Sequence, residues 1–279
     1  MQNPDDKPPG PPCAAFAEPG KTPRPLAEAI GLSKFSFAVP ETVYGTACMC
    51  AILSPRKTLG EWFRDCGECY FRLLWNYVLQ AFFLVGLYQL YNWQLDSIAT
   101  QNCYTIQPYF FIICTWIFFA VVLTEMEETL ALTHLVLQCV PSVPGRSQCL
   151  EYTVGEDGPS LVGGGMSKSR KVSVTLLVCL PKFVIAVILL IFGGNFLSSA
   201  GSNTDLLLNS LAVVFIIEID EMIYGFLTPP GTRRLISECP QFESNAPNNM
   251  FWLVWHRGAV YIKMVVSGVL VVYFYTTRP

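Results

Sequence analysis

Five stretches dominated by apolar residues, at 73–91, 106–124, 172–197, 205–227 and 258–275, are separated by polar segments rich in Gly, Pro, Ser and charge. A membrane-crossing helix needs about 20 mostly apolar residues at 1.5 Å each, and each stretch is close to that length. The fourth differs from the others. Its clean apolar run, 211–217, is too short to cross alone, so the helix must begin near Asp205 and continue to Leu227, where Pro229 and Pro230 stop it. That places Glu218, Asp220 and Glu221 inside the hydrocarbon. Each ionisable residue there costs roughly 2.5–3.5 kcal/mol, and such residues face a partner or a wet cavity.

The same pattern organises the rest of the chain. Residues 1–30 are proline-dense, lack apolar periodicity and are expected to be a disordered tail. Within the interfacial segment 31–72, the apolar piece 43–53 is half a span long and is expected to lie at the interface or on the cytosolic face. Thr58-Leu59-Gly60-Glu61 is a capping box that opens a juxtamembrane amphipathic helix, with Trp62, Phe63, Tyr70 and Phe71 suited to the headgroup layer. The second span's pattern continues to Gln138, so that helix projects beyond the bilayer. The loops 139–171 and 228–257 are polar, and Gly193-Gly194 with 198–203 is expected to form a short turn. Loops 92–105 and 198–204 hold no Lys or Arg, whereas the N-terminal tail, 139–171 and 228–257 hold nearly all of them. By the positive-inside rule the N-terminus is cytosolic. The predicted fold is all-α: a multi-pass transmembrane helical bundle of about five spans.

Composition narrows the function classes. Only 14% of the 279 residues are charged while 52% are hydrophobic, against about 25% charged in soluble domains, so lipid is the expected solvent. A net charge of −3 without a basic block interleaved with aromatics excludes nucleic acid as a partner. Among eleven cysteines, Cys48-Met49-Cys50 and Cys66-Gly67-Glu68-Cys69 lack the paired spacing of a zinc site and read as reduced thiols beside the membrane. No H-E-x-x-H, G-x-S-x-G, Walker A or G-x-G-x-x-G motif is present, so neither catalysis, a cofactor nor a resident metal is expected.

The candidate chemistry is therefore ionic. On the fourth span Glu218 and Glu221 are three residues apart and share a face, while Asp220 points elsewhere. Lys182, next to Pro181 on the third span, falls at nearly the same depth, so a Lys182–Glu218 pair is expected, with Glu221 and Asp220 left to bind a cation or proton. Pro181 frees backbone carbonyls that can join such a site. Glu125, Glu127 and Glu128 lie at the cytosolic boundary about 28 Å from Ile106, as solvated surface or as a negatively lined mouth. Two functions fit these residues: a cation channel or transporter subunit, working as a homo-oligomer or within a membrane complex, and a non-transporting scaffold whose buried charges specify assembly. The segments L-P-K-F-V-I-A-V-I-L-L-I-F-G-G and D-L-L-L-N-S-L-A-V-V-F-I-I-E-I-D-E-M-I-Y resemble a group of multi-pass membrane proteins of unicellular algae. The resemblance covers 172–230, implies a recurring membrane module without a known activity, and carries over no functional residue.

Overall fold

The computed structural model describes residues 34–53, 59–98, 106–144, 149–155, 158–237, 239, 242–245 and 250–277. The expected disordered tail lies outside these residues. The chain forms an all-α multi-pass bundle. Its helices are α1 (Val43–Leu53), α2 (Leu59–Ile98), α3 (Pro108–His134, prolonged by a π turn at Leu135–Cys139), α4 (Lys168–Ser198), α5 (Asn203–Leu227), α6 (Pro230–Ser237) and α7 (Met250–Thr276).

Four helical runs are long and apolar enough to cross a membrane: Cys66–Asp96, Pro108–Cys139, Lys168–Ser198 and Gly258–Thr276. The α5 helix is apolar enough but falls outside that set because Glu218, Asp220 and Glu221 crowd three acids into it. It nevertheless has 25 residues, about 37 Å of helix, and packs lengthwise against α2, α3 and α4. Phe82, Val85, Trp116, Leu177, Leu208 and Val265 are exposed on the outside of the bundle. Apolar side chains on the outer faces of long helices are what lipid as solvent requires.

The ends of α5 follow from local chemistry. The Ser202 hydroxyl accepts from the Asp205 N–H at 3.1 Å, an N-cap. Thr228 closes the other end before Pro229-Pro230. There the Arg72 guanidinium donates to the Leu227 carbonyl at 3.1 Å, satisfying an orphan acceptor at the negative end of the helix dipole.

Three expectations change. Residues 59–98 form one unbroken helix, so the juxtamembrane piece and the first span are continuous. The helical pattern of α4 runs through Gly193-Gly194 to Ser198, so those glycines are packing surface and only the residues after Ser198 turn. The 139–171 loop contains an antiparallel hairpin, β2 (Leu150–Gly155) with β3 (Gly158–Gly164). A second small pairing joins β1 (Lys34–Phe37) to β4 (Phe242–Asn245).

The half-span α1 is buried on nearly every side, with Val43, Tyr44, Ala47, Cys48, Met49 and Ile52 all inside. It packs among α2, α4 and α5, so it belongs to the interior of the bundle rather than to an outer surface. Gly45 lets the chain turn tightly into α1: a Cβ there would collide with the Pro40 carbonyl oxygen. The Lys/Arg asymmetry puts the short α4–α5 turn and the 139–171 hairpin on opposite sides of the membrane. In a cysteine-free background, Ser202→Cys is expected to react with an impermeant maleimide from the non-cytosolic side of the membrane that holds the protein, and Ser160→Cys only after permeabilisation. The reverse pattern would invert the orientation.

Candidate functional site

Three helices bring ionisable side chains to one level. Glu125 follows Pro108 by 17 residues, Asp220 follows Asn203 by 17, and Lys182 precedes Ser198 by 16. At 1.5 Å per residue all three stand about 25 Å from that end of their helices. The Lys182 ammonium lies 3.1 Å from Glu125 Oε2 and 3.5 Å from Asp220 Oδ2. Its third side faces the ring of Tyr44, 4.9 Å from the centroid, a cation–π contact. Asp220 is 1% exposed and Lys182 6%.

The expected Lys182–Glu218 pair is not formed. Glu218 and Glu221 do share a face, but it is the exposed outer face of α5, while Asp220 is the acid that turns inward. The inward stripe reads Leu206, Asn209, Val213, Ile216, Asp220, Ile223, spaced by three and four as one helical face demands. Nor is Glu125 a solvated boundary residue: its side chain is 16% exposed. The α3 helix continues to Cys139 beside α4 and α7, so protein surrounds the position where water was expected. Glu127 pairs with Lys263 of α7, whose ammonium also lies 3.4 Å from Thr124 Oγ1. Glu128 stays partly buried on the same turn.

Pro181 has a different consequence from the one expected. It has no N–H to give the Leu177 carbonyl four residues back, and its ring crowds that oxygen. The helix widens into a π turn over Thr175–Cys179. The Tyr77 hydroxyl of α2 donates to the freed Leu177 carbonyl at 2.7 Å. That acceptor is thus engaged by protein.

A neutral polar group completes the cluster. The Tyr44 hydroxyl donates to Gln80 Oε1 at 2.7 Å, and Asn76 Nδ2 donates to the same oxygen at 3.2 Å. Gln80 Nε2 reaches the Ile216 carbonyl at 3.5 Å. These residues were not anticipated, although Asn76 and Gln80, four apart within an apolar span, were a readable signal of an inward polar face. Tyr44, Gln80, Glu125, Lys182, Ile217 and Asp220 line a cavity offering about 20 Å³ to the centres of water-sized molecules, enough for one water.

The electrostatics of the cluster are unbalanced. Two carboxylates share one ammonium, which leaves one negative charge uncompensated in formal terms. The Lys182–Asp220 approach of 3.5 Å is an ion pair without hydrogen-bond geometry, and neither Asp220 oxygen receives a hydrogen bond. A buried carboxylate with empty acceptor positions and a one-water cavity beside it can accept a proton, a water or a small cation. Toward the short α4–α5 turn, the packing around Val213, Leu189, Leu87 and Phe196 is apolar and buried. Beyond that layer Gln94, Asn209 and Ser199 close the end: Ser199 Oγ donates to Gln94 Oε1 at 2.8 Å, and Asn209 Nδ2 to the Phe196 carbonyl at 3.1 Å.

These features define a class: a multi-pass α-helical membrane protein with a buried carboxylate–lysine cluster in its bundle. Compared with family models, curated proteins and solved structures, the chain matches none of them significantly.

Proposed function

We propose that this chain is a cation-handling membrane subunit in which Asp220 takes up a proton or a monovalent cation in competition with the Lys182 ammonium. The single observation behind this reading is Asp220 itself, buried, facing the one-water cavity and without a hydrogen-bond donor on either oxygen. Lys182 then acts as the tethered counter-charge that holds the site when no cation is bound, and Glu125 receives it when Asp220 is occupied. The sequence expectation of Glu218 and Glu221 as ligands gives way to Asp220 and Glu125 in this reading.

Glu218 and Glu221 support a second element of it. Both are exposed on the outer face of α5 among Phe215, Leu211 and Met222, where lipid would make carboxylates costly. A neighbouring subunit covering that face would relieve the cost, in keeping with assembly as a homo-oligomer or within a membrane complex. Five crossings are also few for a transporter working alone.

Reconstitution tests the reading. Liposomes carrying the wild-type protein and a trapped pH or alkali-cation indicator are expected to show flux under an imposed gradient. Asp220→Asn is expected to reduce that flux at least about tenfold, the loss of about 1.4 kcal/mol or more of ion stabilisation, while Glu218→Gln leaves it near wild type. Flux that survives Asp220→Asn but disappears with Glu221→Gln would move the site to the outer face. The scaffold alternative is favoured by the apolar closure around Val213 and Leu189. It requires that the wild type carry neither protons nor cations under any gradient, and that Asp220→Asn weaken assembly instead.

A further inference from the structure

The α1 helix carries a second chemical feature, separate from the ion cluster. Its two cysteines, two residues apart on either side of Met49, project toward different neighbours. Cys48 is in side-chain contact with Cys179 of α4, and Cys50 with both Cys66 and Cys69 of α2. Cys66 also reaches back to the Cys50 carbonyl, its sulfur 3.5 Å from that oxygen. The C-x-C and C-x-x-C segments, whose spacing argued against a zinc site, thus meet across the α1–α2 interface as a cluster of three thiols. Among the described residues no group of three or more His, Cys, Asp or Glu is arranged to hold a metal ion.

The two thiol contacts differ in access and in charge. Cys48 and Cys179 are 0% and 2% exposed, beyond the reach of a solute. Cys50 is partly exposed while Cys69 is 6% exposed, so a solute reaches this pair at Cys50. The Arg72 guanidinium lies 3.7 Å from the Cys69 sulfur, and an adjacent cation supports a thiolate as nucleophile. Arg72 is held in place by the Glu68 and Leu227 carbonyls, each at 3.1 Å, so its position does not depend on the thiol.

We propose that Cys50 and Cys69 are a redox-active pair that forms a reversible disulfide when the protein meets a hydroperoxide. The partly exposed Cys50 sulfur attacks the terminal peroxide oxygen; the O–O bond breaks, a sulfenic acid forms on Cys50, and the leaving oxygen takes the Cys50 proton and departs as water or alcohol. The Cys69 sulfur, held beside Arg72, then attacks Cys50 Sγ, the S–O bond breaks, and hydroxide leaves as water with the Cys69 proton. Two thiols and one hydroperoxide thereby give one disulfide, one water and the reduced peroxide, so two electrons pass from sulfur to oxygen. A dithiol reductant reverses the bond by exchange. The disulfide tethers α1 to α2 and so restrains Tyr44, which lies six residues before Cys50 on α1 and packs against Lys182.

The test uses the full chain in detergent micelles, hydrogen peroxide as the probe, alkylation of remaining thiols and peptide mapping without reduction. A Cys50–Cys69 linked peptide is expected, removed by a dithiol reductant and absent from Cys50→Ser. It should persist in Cys66→Ser. The Cys48–Cys179 pair, being enclosed, is expected to oxidise at least about tenfold more slowly. Absence of any link to Cys50, a Cys66–Cys69 or Cys50–Cys66 link in its place, or oxidation of Cys48–Cys179 at an equal rate would each overturn the assignment. Mapping of the wild type decides the matter even if a serine variant folds poorly.

Discussion

Lys182→Met is expected to destabilise the detergent-solubilised protein by roughly 3–5 kcal/mol, the range for removing one partner of a buried ion pair. The cause is what remains behind. Asp220 is 1% exposed and receives no hydrogen bond on either oxygen, so the ammonium 3.5 Å away is its main source of stabilisation. Adding Asp220→Leu should recover a large part of the loss, because a pair replaced by apolar groups of similar volume is often near neutral. The interaction energy from this double-mutant cycle should fall in the range of about 0.5–3 kcal/mol found for contacting residues. Lys182→Met combined with Glu218→Gln should be additive, since Glu218 lies on the opposite, exposed face of α5. Chemical denaturation in mild detergent measures all of these. Additivity with Asp220 and coupling with Glu218 would restore the pairing that depth alone suggested.

That comparison also marks what the chain's pattern can reveal. The C-terminal end of α5 was legible because its signal is local, a double proline after Thr228 that acts within one turn, and the length needed to span then put the start near Asp205, two residues from the observed Asn203. Which face of α5 points inward was not. In lipid both faces of a helix are apolar, and the outward Leu207, Leu208, Leu211 and Phe215 are as hydrophobic as the inward Leu206, Val213 and Ile216. The contrast between apolar and polar faces that orients a helix in water is lost. What survives is the polar spacing: Asn209 and Asp220 are eleven residues apart, three turns, and so share a face. Glu125 was misplaced for another reason. Helical rise correctly gave its distance along α3, but whether water or protein lies beside that turn depends on α4 and α7. The contribution of α1 was legible only as a length too short to span; that Tyr44 forms a wall of the ion cluster is a tertiary fact. The thiol cluster has the same character, since Cys50 meets Cys69 only because α1 packs into the bundle.

Gly194→Val is expected to cost about 1–3 kcal/mol, the usual range for overpacking a tight contact, and to loosen α7 from the bundle. A Cβ at Gly194 would stand 2.6 Å from Phe274 Cζ and 2.9 Å from both Phe274 Cε atoms, so the far end of this buried ring has to give way. Phe274 in turn packs on Phe119 of α3, with ring centroids 5.3 Å apart. In lipid no hydrophobic force drives one helix onto another, and close approach of surfaces through small residues supplies the packing energy. The neighbouring Gly193 holds the other side of α4 in the same way: a Cβ there would lie 2.7 Å from Phe118 and 3.0 Å from Val213. The two substitutions should therefore differ in where the damage appears. Gly194→Val should expose the α7 end, read as faster proteolysis in the 250–277 region. Gly193→Val should disturb the α3–α4–α5 contact and with it the apolar layer on Val213. In Gly194→Val, a compensating Phe274→Leu should regain part of the lost stability by vacating the space. If Phe274→Leu instead adds its full cost to that of Gly194→Val, the glycine is not the seat of the α4–α7 contact.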